Sequence, residues 1–270
     1  MLKRKQNIKS NRDWLTAYEQ CTNLYSERQI IADTETVINQ IRKTKSKYNK
    51  ACSGWCAGKD SVVLQDILKK SGIDYTPVFW RGINEYPDMA KWIEKSKPDN
   101  LLTIPIKKFS LDFLNKNPEL LFCPKESRNK WMAAKWQAQR KTFKEHNFDL
   151  FICGRRTKDG NNCGSKEDGY IKKQKGYDMY SPLAEWSHEE ILAYIKYANI
   201  SLPPFYSWER GFLIGSIAMG EWTERSIDGM TEKQVWDELW EIDKTIIINA
   251  AEKLNKAKEY LKEYHYGSYK

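Results

Sequence analysis

The stretch from Cys52 to Leu64, CSGWCAGKDSVVL, holds the residue types best placed to do chemistry: two glycines, a lysine, a carboxylate and a hydroxyl ahead of an apolar run. A strand, a glycine turn and a helix N-terminus make an anion site from backbone alone. The free N–H groups and the helix dipole point at the ligand. Gly58 permits close approach of a phosphate, Lys59 adds a point charge and Ser61 offers a hydroxyl. A Walker A loop needs four residues between its glycines and then Gly-Lys-Ser/Thr. Here three residues separate Gly54 from Gly58, and Asp60 follows Lys59. Asp60 does not suit direct phosphate contact, so it either caps the helix or reaches a Mg²⁺. The competing reading is a strand-to-helix turn with no ligand.

The elements around this loop decide whether it meets other polar turns. Asp13–Thr44 has helical periodicity, with Ile30, Ile31, Val37, Ile38 and Ile41 as a stripe. Tyr48–Cys52 reads as a strand, Ser61–Lys70 as a helix stopped by Gly72, Tyr75–Trp80 as a strand and Pro87–Lys95 as a helix. Leu101–Ile106 is a strand, Glu126–His146 a long helix and Asp149–Cys153 a further strand. This alternation predicts an α/β fold: a parallel twisted sheet with helices on both faces, plus a helical C-terminal extension. Ligands in such sheets bind at the carboxyl ends of strands. Three polar turns fall there: the loop after Cys52, RGINEYP after Trp80 and GRRTKDG after Cys153. Arg155 and Arg156 suit anion recognition at a strand end. Alternatively they pair with Asp159 or Glu167 on the surface. Thr157–Gly176 reads as a long loop, either a lid or disordered. Thr231–Tyr264 reads as one long helix opened by a Thr231/Gln234 capping box. Its stripe, Val235 through Leu261, packs on the main domain or forms a homodimer seam. Trp186 and Tyr194 read as packing residues and His188 as a solvated one.

Composition bounds the partners. The chain has 270 residues, 40% hydrophobic and 30% charged, with net charge +9. Such a charge favours polyanions: nucleotides, sulfonucleotides or nucleic acid. The 11 Trp and 15 Tyr recur mostly at helical spacing, which makes packing their default. No run approaches the ~18 apolar residues of a membrane helix. The basic MLKRKQNIKSNRD start has no apolar region behind it, so a secretory signal is not expected. The six cysteines form no C-x-x-C pair and no zinc pattern with the three histidines, and they read as reduced cytoplasmic thiols.

Cys56-Ala57-Gly58-Lys59-Asp60-Ser61 resembles the SGGKDS signature of PP-loop enzymes, with Cys56 for the first Ser and Ala57 for the first Gly. The branch it resembles holds phosphoadenylylsulfate (PAPS) reductases, ATP sulfurylase small subunits and related phage, bacterial and DNA-modification proteins. Three more stretches follow in the family's order. FWRGINEYPDMAKWIEK (Phe79–Lys95) is similar to its strand and "NEFPE" turn, which implies that Asn84 and Glu85 meet the adenosine side. ICGRRTKDG (Ile152–Gly160) is similar to its G-x-R-x-x-E turn. SPLAEWSHEEILAYIKYANISLPPFYSWERG (Ser181–Gly211) is similar to its PL-x-x-W segment. The resemblance spans about Thr34–Gly220 and implies an adenine nucleotide α-hydrolase-like fold. It suggests an N-terminal helical segment over 1–44, a PP-loop domain over 45–220 and a C-terminal long helix over 221–270.

The implied site has loop backbone from Ser53, Gly54, Cys56, Ala57 and Gly58, with Lys59, Ser61, Gly154 and Lys135 as further nucleotide ligands. Lys59, Asp60, Arg155 and Arg156 are the candidate catalytic residues, and Asp60 the candidate Mg²⁺ ligand. The chain departs from the reductases in lacking a cysteine after Cys163, where they carry their nucleophile. Trp131, Met132 and Gly215-Ser216 stand where cluster-bearing relatives place cysteines, so no iron–sulfur cluster is expected. The reading is an adenine-nucleotide protein, on ATP or PAPS/adenylylsulfate, acting at the α-phosphate side in adenylyl- or sulfur-transfer chemistry. Nucleic acid is a candidate acceptor. The alternatives are a non-catalytic nucleotide- or nucleic-acid-binding module, and a true PAPS reductase using Cys56, Cys163 or a partner's thiol.

Overall fold

The computed structural model describes residues 2, 7–8, 10–81, 86–106, 110–216, 222, 229–265 and 267. In chain order the elements are α1 (Asn11–Leu24), α2 (Glu27–Lys45), β1 (Ala51–Gly54), α3 (Lys59–Ser71), β2 (Thr76–Arg81) and α4 (Pro87–Ser96). Then come β3 (Leu102–Pro105), α5 (Leu111–Lys116), α6 (Arg128–His146), β4 (Leu150–Ile152), β5 (Ile171–Gln174) and β6 (Tyr177–Tyr180). The last are α7 (His188–Tyr197), α8 (Gly211–Ile214), α9 (Glu232–Ala250) and α10 (Asn255–Tyr264).

The six strands form one sheet in the order β3-β2-β1-β4-β6-β5. β1 pairs in parallel with β2 and β4, Cys52 standing opposite Thr76 and Phe151. β4 pairs in parallel with β6, and β5 closes the edge antiparallel to β6. The expected α/β architecture is thus present, with one antiparallel edge strand added. β1 and β4 bury nearly every side chain, as strands covered on both faces must.

Three local expectations change. Asp13–Thr44 is two helices, because Ser26 takes an extended backbone and accepts from the Gln29 amide, capping a fresh N-terminus. The expected loop over 157–176 contains β5, which pairs with β6 through a two-residue turn with Gly176 at φ 91°. The lysines of IKKQK hid this strand. They suit an edge, where charge blocks pairing with a further strand. Thr231–Tyr264 is also two helices. Asp243 leaves helical geometry (φ −162°, ψ 102°), and its carboxylate takes the amide and hydroxyl of Thr245, so the helix restarts there.

The described chain divides into two compact units. The first, Met1–Phe79 with Trp92–Thr103 and Arg140–Ser216, carries β1, β4, β5, β6 and helices α1–α3, α7 and α8. Inside it Trp14 of α1 is fully buried, stacked 5.8 Å from Phe212. Trp186 and Tyr194 are buried, as packing residues should be. The second unit is Trp80–Lys91, Ile104–Gln139 and Ile217–Lys270. In it α10 packs on α9: Tyr260 stacks on Trp236 at 5.5 Å and donates to Asp237 at 3.0 Å. Val235, Leu239, Ile246, Ala250, Leu254, Ala257 and Leu261 are all buried there. The stripe that offered packing or a dimer seam is thus filled within the chain at these positions, while Ile242 is half-buried. Among the described residues no helix is long and apolar enough to cross a membrane.

Candidate functional site

From β1 the chain runs outward through β2 to β3, then returns to the other side of β1 as β4. The turns after β1 and β4 therefore lie side by side at the topological switch point of the sheet, at the carboxyl ends of the strands, where sheets of this class bind ligands. Residues 55–58 and 153–156 occupy this place. The approach is close enough to need glycine. A Cβ on Gly154 would stand 3.0 Å from the Asp60 carbonyl oxygen and 3.1 Å from its carbon, both fixed in the first turn of α3.

Ser53 lies buried in β1, and Gly54 ends the strand. Trp55 turns into the core, edge-on to Phe79 at 5.3 Å and parallel to Trp92 at 6.1 Å, so its bulk does not fill the loop. Ala57 holds φ 56°, the left-handed conformation that glycine adopts freely and alanine does not. Ala57→Gly is expected to leave the fold intact and raise stability by up to about 1 kcal/mol, read by urea denaturation. A loss of stability would show that the buried methyl outweighs the strain.

Gly58 precedes α3 in extended conformation and gives no side-chain cap. The cap comes from elsewhere. The Tyr206 hydroxyl accepts the Lys59 amide at 2.7 Å. Burial, and after it the Asp60 carboxylate, raises the Tyr206 pKa well above the ordinary phenol value, so the hydroxyl stays neutral. The Ser61 hydroxyl donates to the Gly58 carbonyl at 2.9 Å and accepts the Cys56 amide at 3.3 Å. Among the described residues no backbone carbonyl meets the amides of Ala57 and Gly58.

The charged side chains form one buried network. Asp60 receives Lys59 Nζ on one carboxylate oxygen and Arg156 Nε on the other, each at 2.7 Å. Lys59 is buried, and its ammonium lies 5.2 Å from the Trp14 ring centroid. Arg156 is fully buried. It also donates to the Trp186 carbonyl at 3.1 Å and pairs with Asp159 at 3.0 Å. Its Nη2 lies 3.1 Å from His188 Nδ1. Guanidinium only donates, so in this contact Nδ1 takes the acceptor role; the same atom lies 3.8 Å from Asp159. His188 is fully buried, not solvated as its place at a helix start suggested, and it meets Trp14 edge-on at 4.6 Å. Arg155, in contrast, is half-buried.

The remaining candidates distribute as follows. Asn84 and Glu85 lie outside the described residues. Lys135 is on the part of α6 that belongs to the second unit. Both Asp60 oxygens are held by cations, an arrangement that does not fit a Mg²⁺ ligand. Among the described residues no group of three His, Cys, Asp or Glu is placed to hold one. Burial pushes the thiol pKa values of Cys52, Cys153 and Cys163 up, which keeps them protonated, while Cys56 is exposed. Sequence reasoning missed Tyr206 and Trp14. Only the position of Tyr206 in the Ser181–Gly211 segment, after two prolines, pointed towards the loop.

Residues 49–212, more than half of the chain, match the phosphoadenosine phosphosulfate reductase domain. The chain belongs to that family. This places it in the PP-loop, adenine nucleotide α-hydrolase-like superfamily, a nucleotide-binding group of enzymes. Among solved structures it is similar to a phosphoadenylyl-sulfate (PAPS) reductase from Candida auris in a phosphate complex. The identity is 15% and the TM-score 0.50, covering 66% of this chain and 90% of that one. It is also similar to an NMN synthetase from Francisella tularensis, at 16% identity and TM-score 0.45, covering 86% of this chain and 94% of that one. No curated protein matches the chain significantly. The match stops at residue 212, so the family assignment does not extend to α9 and α10.

Proposed function

We propose that the protein binds an adenine nucleotide, ATP or a sulfonucleotide, at the switch point between β1 and β4 and acts at its α-phosphate side without a reductase cysteine of its own. The observation that carries this is the close approach of Gly154 to Asp60, which brings the turns of residues 55–58 and 153–156 to one α3 N-terminus. The Ala57 and Gly58 amides and the α3 dipole would take phosphate oxygens. Arg155 would neutralise charge that builds there. In this reading Asp60 and Arg156 position α3 against the second turn, and Lys59 contributes its charge from behind the loop. With ATP, an acceptor oxygen or nitrogen attacks the α-phosphorus. The bond to the bridging oxygen breaks, pyrophosphate leaves with the electron pair, and the acceptor's proton passes to solvent. Hydrolysis of the adenylylated acceptor then gives AMP.

A second reading, nucleotide binding without turnover, draws support from the salt network, since Asp60 and Asp159 already neutralise Arg156 and Lys59. Thermal shift with ATP, adenylylsulfate, PAPS and adenosine 3′,5′-bisphosphate tests both. A ligand at a hundred times its dissociation constant adds about 2.7 kcal/mol. Stabilisation by at least one nucleotide, lost in Arg155→Ala, is expected. Pyrophosphate release then selects turnover, and its absence with every acceptor tried selects the binding module. No shift with any compound would overturn the site.

A further inference from the structure

The first unit carries its positive charge on the edge of the sheet away from the loops. Residues 42–50 hold five basic and no acidic side chains, 140–149 three basic and two acidic, and 172–178 three basic and one acidic. That is an excess of eight positive charges, where the whole chain has +9. The fold draws these segments together where β1, β4 and β6 begin and the β5–β6 turn lies. The Asp149 carboxylate takes the amides of Asn49 and Lys50, each at 2.8 Å. Asp178 takes Tyr48 Oη and Lys173 Nζ, each at 2.6 Å. Lys50 Nζ lies 5.4 Å from the Phe148 ring, and Phe143 packs on Tyr177 at 4.3 Å.

The acids within these three segments are thus spent internally, while Lys43 and Lys47 share a flanking pocket with Asp33, Glu167, Asp168, Glu185 and Glu190. Glu145, the third, pairs with Lys141 at 3.6 Å. Lys43, Lys47, Lys144 and Lys175 are exposed to solvent. Helix-end lysines often answer the helix dipole, which accounts for the last turns of α2 and α6. It does not account for the β5–β6 hairpin, where Lys173 pairs with Asp178 as an edge-strand charge and Lys175 lies in the turn beyond the strand. Four adjacent strands at ~4.8 Å spacing make this edge about 15 Å wide, enough for several phosphates of a duplex.

We infer that this edge is a docking surface for the phosphate backbone of a nucleic-acid duplex. A membrane fits less well, because stable adsorption needs an apolar anchor beside the charge. Leu15, Leu24, Ile31, Trp136 and Tyr264 are the exposed large apolar side chains among the described residues, and none lies in these segments. Single strands fit less well too, because they need exposed aromatic rings for stacking. Phe148 is buried here and Tyr48 and Tyr177 are half-buried. Backbone contact of this kind is sequence-independent. The inference is independent of the nucleotide reading, since it uses none of the loop residues.

The test is fluorescence anisotropy of the full chain with a labelled mixed-sequence DNA duplex, an RNA duplex of the same sequence, and phosphatidylserine vesicles. Six or more phosphate contacts would cost about a thousandfold in duplex affinity between about 50 and 200 mM salt. The variant K43A/K47A/K144A/K175A should lower the slope of log affinity against log salt by about 3.6 for the DNA duplex if each lysine meets one phosphate. Its melting temperature should fall by no more than the few degrees that losing Lys43 and Lys144 from two helix ends accounts for. Lys158→Ala, on the loop edge, should bind as the native chain does. Preference between the two duplexes identifies the source of the backbone, and either supports the inference. No duplex binding at low salt, an unchanged slope in the fourfold variant, weakening by Lys158→Ala, or tighter binding to vesicles would each overturn it.

Discussion

Replacing Arg156 with methionine is expected to cost about 3–5 kcal/mol of folding stability, the range for removing one partner from a buried ionic network. Methionine fills much of the volume but leaves Asp60 and Asp159 facing each other without the guanidinium between them. The Trp186 carbonyl and His188 Nδ1 lose their donor as well. Lysine is not expected to rescue, because one ammonium cannot reach four acceptors spread across a planar fork. The added variant Asp159→Asn should recover part of the loss, since removing both members of a pair costs less than removing one, whereas Asp60 keeps its pair with Lys59. Urea denaturation reads all three. A loss under about 1 kcal/mol for Arg156→Met would show that water reaches the carboxylates and that the network contributes little.

The second large effect is expected at Gly211. A Cβ there would stand 2.0 Å from the Phe205 carbonyl oxygen and 2.9 Å from both the Phe205 carbon and Tyr206 Cα. These are backbone atoms, so no rotamer change relieves the clash. Gly211→Ala should therefore exceed ordinary overpacking, at about 3 kcal/mol or more. It should also push Tyr206 from the Lys59 amide and weaken any ligand held at the α3 N-terminus. Gly72→Ala is the matched control. It has φ 66° but no atom within 4 Å of the added methyl, so only the dihedral cost of about 1 kcal/mol applies. Equal losses at the two positions would show that the segment around Phe205 moves freely, and would remove Tyr206 from the account of the loop.

The strand–turn–helix around the loop was legible from local rules. An apolar run entering a glycine turn and leaving as a periodic helix needs no distant partner, and Gly72 ends that helix in left-handed geometry as its residue type suggested. The order of strands and helices likewise settled the sheet class, because βαβ crossovers leave few topologies. What stayed hidden was whatever pairs across long sequence separation. Asp60 meets Arg156 across 96 residues and the Lys59 amide meets Tyr206 across 147. No periodicity encodes either contact. His188 looked solvated because a charged, well-capped helix start is usually exposed, yet Trp14 covers it. The β5 strand was masked for the opposite reason: its lysines suit an edge but spoil the alternation that marks a strand. Residue types and local spacing thus pointed to the strand–turn–helix as the place to propose for an anion. Tertiary structure alone decided which charges face that place and which are held behind it, because ion pairs form between whichever elements the fold brings within a few ångströms.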